Sequence, residues 1–177
     1  MLKELMTKFF AFIFLLIAVL MPLKALEVSA LEGENDGEVT LTLCNTLQIK
    51  NVNLDRSSVT PTVIFPKEEE IYENIFLLKP EISQKIVACF ERVCEFKKSC
   101  KKVEYSLLSA RKIKDKNIVV AKVAFDNEVS AIFLVSSYQN KNKTLYRVKM
   151  PQDFKFLSKK YQKKFRAWLI EQTQKLL

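Results

Sequence analysis

Four residues of this 177-residue sequence can do covalent chemistry with one another: Cys44, Cys89, Cys94 and Cys100. Four thiols can form two disulfides, hold a tetrahedral zinc ion or run dithiol exchange. The second and third chemistries characteristically use a Cys-x-x-Cys pair, and none occurs here, so two disulfides are expected and a metal is not. Three pairings are open to four cysteines. Cys89 and Cys94 fall on a stretch that reads as helix, where side chains five residues apart diverge by about 140°, so that pair is disfavoured. The pairing expected is Cys94 with Cys100, closing the helix exit, and Cys44 with Cys89, tying the helix to the first segment.

Groups for acid–base catalysis are scarce. The sequence has no histidine, which removes Ser-His-Asp and Cys-His systems, imidazole bases and every His-containing metal site. Its only two glycines, Gly33 and Gly37, stand in one polar stretch, so no Gly-rich loop can bring backbone N–H groups to a phosphate. Asp126 and Glu128 are close together but fall in a turn, where solvated charges are the default. The run Lys67-Glu68-Glu69-Glu70 offers paired carboxylates, or simply charges facing the positive end of a helix. No catalytic residue and no cofactor are expected, and the chain reads as non-enzymatic.

A different chemistry, that of fixed positive charge, is concentrated near the end of the chain. From Asp153 to Leu177, Leu157, Tyr161, Phe165, Trp168, Leu169 and Leu176 recur at helical spacing, while Lys159, Lys160, Lys163, Lys164 and Arg166 crowd the remaining surface. Such a helix can dock through its aromatic stripe and leave a solvated lysine face, or use that face to hold an anionic partner. The formal charge of the chain is +9, and removal of Met1–Ala30 takes away three lysines and two glutamates and leaves +8. The partners this suits are an anionic envelope component or a partner protein. A membrane surface also fits, and nucleic acid is disfavoured by the leader described next.

Met1–Lys8 carries two lysines, Phe9–Leu23 is apolar, and Val28-Ser29-Ala30 supplies small residues for a peptidase. This is the layout of a secretory signal, read as residues 1–30. Fifteen helical residues span roughly 22 Å, short of the ~30 Å hydrocarbon core. A periplasmic or secreted protein follows, the alternative being an inner-membrane anchor left uncleaved. Residues 31–38, acidic and glycine-punctuated, read as a flexible lead-in, and residues 39–177 as one α+β domain with a basic C-terminal helix.

Positioning these groups needs a scaffold, and the run from Lys102 to Met150 supplies it. Val103–Leu108, Ile118–Phe125, Val129–Tyr138 and Thr144–Met150 read as strands, separated by polar breaks too short for anything but antiparallel neighbours. A four-stranded antiparallel meander packed against amphipathic helices is the fold expected. Its third strand, Ala131–Val135, should be central, and Asn117, Asn127, Asn140 or Asn142 should take positive φ in the breaks. Upstream, Val39–Leu43 reads as a strand, Leu47–Leu54 as a weaker β-like segment with helix as the alternative, and Lys67–Leu78 as a helix. A second helix from Glu81 carries Ile82, Ile86, Phe90 and Val93 on one face and ends at Lys97-Lys98. The simplest topology lays that second helix across the meander.

The order of Ile82–Phe96 followed by strands around Tyr105, Val123, Phe133 and Tyr146 is similar to the cystatin-like and nuclear-transport-factor-2-like superfamily, over roughly Glu81–Met150. The resemblance implies a sheet curled around a conical pocket, in proteins that include small-molecule binders, a few enzymes and periplasmic assembly modules of secretion systems. The function expected is that of an exported binding or assembly module of the cell envelope or a secretion complex. The alternative is a carrier of a small apolar ligand, held between sheet and helices by Tyr105, Phe125, Phe133 and Tyr146.

Overall fold

Wherever apolar and polar residues alternate at period two, the chain is extended. The computed structural model describes residues 25–33, 38–68, 72–97, 100, 102–141 and 143–177. In chain order its strands begin with β1 (Val28–Glu32), β2 (Val39–Leu43), β3 (Leu47–Asp55), β4 (Thr62–Ile64), β5 (Lys67–Glu68), β6 (Tyr72–Glu73) and β7 (Ile75–Leu77). Helix α1 (Pro80–Phe90) is followed by β8 (Tyr105–Lys112), β9 (Ile118–Phe125), β10 (Val129–Asn140), β11 (Lys143–Lys149) and β12 (Phe154–Phe156). Helix α2 (Lys159–Thr173) and a 3-10 turn (Gln174–Leu176) close the chain.

The expected meander is present: β11, β10, β9 and β8 lie side by side, all antiparallel. Strand β10 is its spine. One edge pairs with β9 from Val129 to Ser136, while the other pairs with β7 at Val129–Ala131 and then with β11 from Leu134 to Asn140. Ala131, Phe133 and Val135 are buried, and Ile132 and Leu134 are half-buried. Positive φ in the breaks falls on Asp115, on Asp126 with Asn127, and on Lys141. Of the asparagines expected there, Asn127 alone is among these, and Asn142 lies outside the described residues.

A second antiparallel sheet runs β1-β2-β3-β12, with β4 also on β3. Gly33, where β1 gives way to the link toward β2, has φ 142°, and a Cβ there would stand 3.0 Å from the Glu38 carbonyl oxygen. The core is shared between the sheets and the two helices: Leu41, Leu47 and Ile49 from one sheet, Phe125 and Phe133 from the other, Ile82 and Ile86 from α1, and Phe165 and Leu169 from α2.

Four expectations are corrected. Lys67–Leu78 is not a helix but three short strands, because Ile75 and Leu77 complete the edge of β10 that β11 leaves open; Glu69 and Glu70 lie outside the described residues. Helix α1 packs mainly on β1, β4 and β7, not across the meander, which is covered by α2. The final helix begins at Lys159, since Phe154 and Phe156 turn inward at strand spacing to pair with β3, and Leu157 is left 44% exposed. The folded unit does not begin at residue 39: Leu26 and Val28 are in the core, and Leu31 and Glu32, assigned to the lead-in, are strand residues. Residues 1–24 and 34–37 lie outside the described residues, and no helix among the described residues is long and apolar enough to cross a membrane.

Candidate functional site

Helix α2 divides its residues by face as its sequence requires. Ser158 caps it, the hydroxyl accepting from the Tyr161 N–H at 3.3 Å. Phe165, Leu169 and Thr173 are buried on one side, while Lys159, Lys160, Lys163, Lys164 and Arg166 are all exposed on the other. At 100° per residue the five cations occupy an arc of roughly 160°. Glu171 is the helix's one carboxylate, and its first turn holds no acid. Lys159 and Lys160 stand in that first turn, where the helix dipole is already positive and repels them. Through the dipole this placement costs the helix stability.

The aromatic stripe under this face seals α2 to the meander. Phe165 sits 4.9 Å from Phe133, 5.8 Å from Phe125 and 4.8 Å from Phe156, centroid to centroid, and Trp168 lies 4.6 Å from Tyr105. Three of the four residues expected to line a ligand cavity, Tyr105, Phe125 and Phe133, do converge. The rings of α2 and β12 occupy the space between them, however, so they serve as core. The Tyr161 hydroxyl donates to the Val103 carbonyl at 3.0 Å, and burial, helped by Tyr105 and Asp126, pushes its pKa above the usual tyrosine range.

Tyr146, the fourth, lies elsewhere. It lines a groove of about 490 Å³ between β11 and α2, with Arg147, Lys149, Met150, Arg166 and Ile170. Arg147, Lys149 and Arg166 are exposed. Lys149 is held by Glu68 at 2.6 Å, and among the described residues neither Arg147 nor Arg166 has an ion-pair partner. The groove thus joins a residue expected in a ligand pocket to one expected in the basic surface. Arg147 and Lys149 were not singled out from the sequence, although strand alternation puts both on one face of β11. Chemically, two guanidinium groups above an apolar floor suit an anion with a hydrophobic body.

The cysteines form two disulfides, but not the expected pairs: Cys44 bonds Cys100 and Cys89 bonds Cys94. The geometric objection to Cys89–Cys94 fails because α1 stops at Phe90. Its carbonyls are closed by Arg92 N–H to Cys89 O at 3.2 Å and Val93 N–H to Ala88 O at 2.9 Å, with Arg92 at φ 60°. This is a Schellman closure with arginine in the place glycine usually takes. It turns the chain back, so Cys94 lies beside the helix end with its Cα 4.7 Å from that of Cys89. With both pairs oxidised, no cysteine thiolate remains for zinc.

In comparisons with protein families, characterised proteins and solved structures, nothing matches this chain.

Proposed function

We propose that the protein is an exported, non-enzymatic binding or assembly module that holds an anionic component of the cell envelope on the outer face of α2 and in the adjoining groove. The observation that carries this is the placement of Lys159 and Lys160 in the first turn of α2, where they oppose the helix dipole and share an arc with three further exposed cations. A face serving solubility alone gains nothing from charges set against the dipole; a face that binds anions gains from both the side chains and the dipole. The two disulfides are compatible with an oxidising compartment. Cross-linking in cells followed by affinity capture tests the reading. A discrete envelope partner is expected, and recovery of monomer alone at native abundance contradicts it.

One observation favours a second reading, carriage of a small apolar ligand, at a place other than the one expected. An open groove of about 710 Å³ is lined by Val63, Ile64, Phe65, Phe76, Leu78 and Pro80, among others, where β4, β7 and the start of α1 meet. A ligand binding only the folded form raises the melting temperature with its saturation. Thermal shift against fatty acids and other apolar compounds should then find a stabiliser, and Phe76→Asp should abolish its effect; no shift from any compound removes this reading.

A further inference from the structure

Glu128 follows the Asp126–Asn127 turn, where a solvated side chain was expected, yet it is only 4% exposed. Its Oε2 accepts from the Leu26 backbone N–H at 2.7 Å within the core, and among the described residues its side chain has no other hydrogen-bond or ion-pair partner. A buried carboxylate facing a single neutral N–H is costly, and a cation at that position would offset the cost. The nearby ammonium of Lys85 is committed elsewhere, donating to Leu26 O at 3.1 Å and to Glu27 Oε1 at 3.2 Å.

The atom that Glu128 faces is the nitrogen of the Ala25–Leu26 peptide link, a bond open to processing. The apolar run ends at Leu23, Pro22 interrupts it, and Ala25 supplies a small residue just before Leu26. We propose that the leader is removed between Ala25 and Leu26, not after Ala30, and that the α-ammonium so created pairs with Glu128. Hydrolysis consumes one water: the C–N bond breaks, Ala25 keeps the carboxylate, and the Leu26 amine takes up a proton. The charge then stands where the amide N–H stood. Cutting after Ala30 would instead remove Leu26 and Val28 from the core. It would also remove Ser29, whose Oγ donates to Thr42 O at 3.1 Å and accepts from Asn45 N–H at 3.0 Å, and would strand Glu128.

The inference shares with the proposed function the premise of export, but not the cationic face. Expressing the full chain in an exporting bacterium and sequencing the N-terminus of the periplasmic product tests the cut. A start at Leu26 is expected; a start at Leu31, or at Met1 in a periplasmic product, overturns the inference and leaves export standing, and a product that stays in the cytoplasm with Met1 retained overturns both. The ion pair is tested by melting proteins that begin at Leu26 or at Ala25, each with and without Glu128→Gln. The Leu26 form should melt several degrees higher, and the difference should vanish with Glu128→Gln; an equal difference in both backgrounds overturns the pair. Should Glu128→Gln not fold, acylation of the α-amine in native protein starting at Leu26 should be at least tenfold slower than after unfolding, and equal rates overturn the pair.

Discussion

Tyr161 shows how one side chain ties the cationic helix to the core beneath it. Its ring meets Tyr105 edge-on at 5.8 Å while its hydroxyl satisfies the Val103 carbonyl, and it stands between Lys160 and Gln162 on the helix that bears the cations. Tyr161→Phe leaves that carbonyl without its donor and should cost about 1 kcal/mol in denaturant unfolding. Because burial raises the hydroxyl's pKa above its ordinary 10.0, the folded protein holds the proton more tightly than the unfolded chain does. That contribution is complete below pH 10.0 and is lost as pH rises beyond it. Stability measured up an alkaline series should therefore fall less steeply in Tyr161→Phe than in the parent. None of this was legible in the sequence beyond the helical spacing of Tyr161, since the partner carbonyl is 58 residues away. The burial of Glu128 is hidden from the sequence for the same reason: its neighbour in space, Leu26, is 102 residues distant.

Among the elements, those with a strong period were the legible ones. Ile118–Phe125 became β9 with both ends as expected, and β10 and β11 differ from their expected limits by a residue or two. Lys67–Leu78 misled because its glutamates suit a helix start, while the pairing of Ile75–Leu77 with β10 is a tertiary gain with no local signature. Scarcity of glycine left its mark on the turns. Lys141 opens the link between Asn140 and Lys143 at φ 53°, a conformation costly for a side chain with a Cβ, and Lys141→Gly should raise stability by about 0.5–1 kcal/mol. The first turn of α2 makes a comparable prediction with a sharper meaning. Replacing Lys159 and Lys160 by glutamate should stabilise the fold by about 0.3–1 kcal/mol each, read as a rise in melting temperature at low salt. A loss of stability would mean that the lysines are there for the fold.

For the whole molecule, Cys44–Cys100 ties the end of β2 to the segment that leads into β8, while Cys89–Cys94 closes the end of α1. Cys44–Cys100 closes a loop spanning 56 residues and Cys89–Cys94 one spanning 5, so chain entropy assigns them roughly 4 and 2 kcal/mol. Peptide mapping should recover these two pairs, with Cys44→Ser/Cys100→Ser the more destabilising double substitution. The sequence indicated that the cysteines pair, but the partners depend on where α1 stops and how Arg92 turns the chain, which periodicity does not reveal. Likewise the five cations of α2 were evident as a cluster, whereas the groove that one of them, Arg166, shares with Arg147 and Lys149 exists only because β11 lies beside α2. The central claim, that this surface holds an anionic envelope partner, is tested most directly by capture from cross-linked cells. The comparison is between the wild-type chain and a Lys159→Glu/Lys160→Glu/Lys163→Glu variant shown to be at least as stable. The account predicts a discrete partner with the wild type and at least a tenfold loss of it with the variant; equal recovery from both would contradict it.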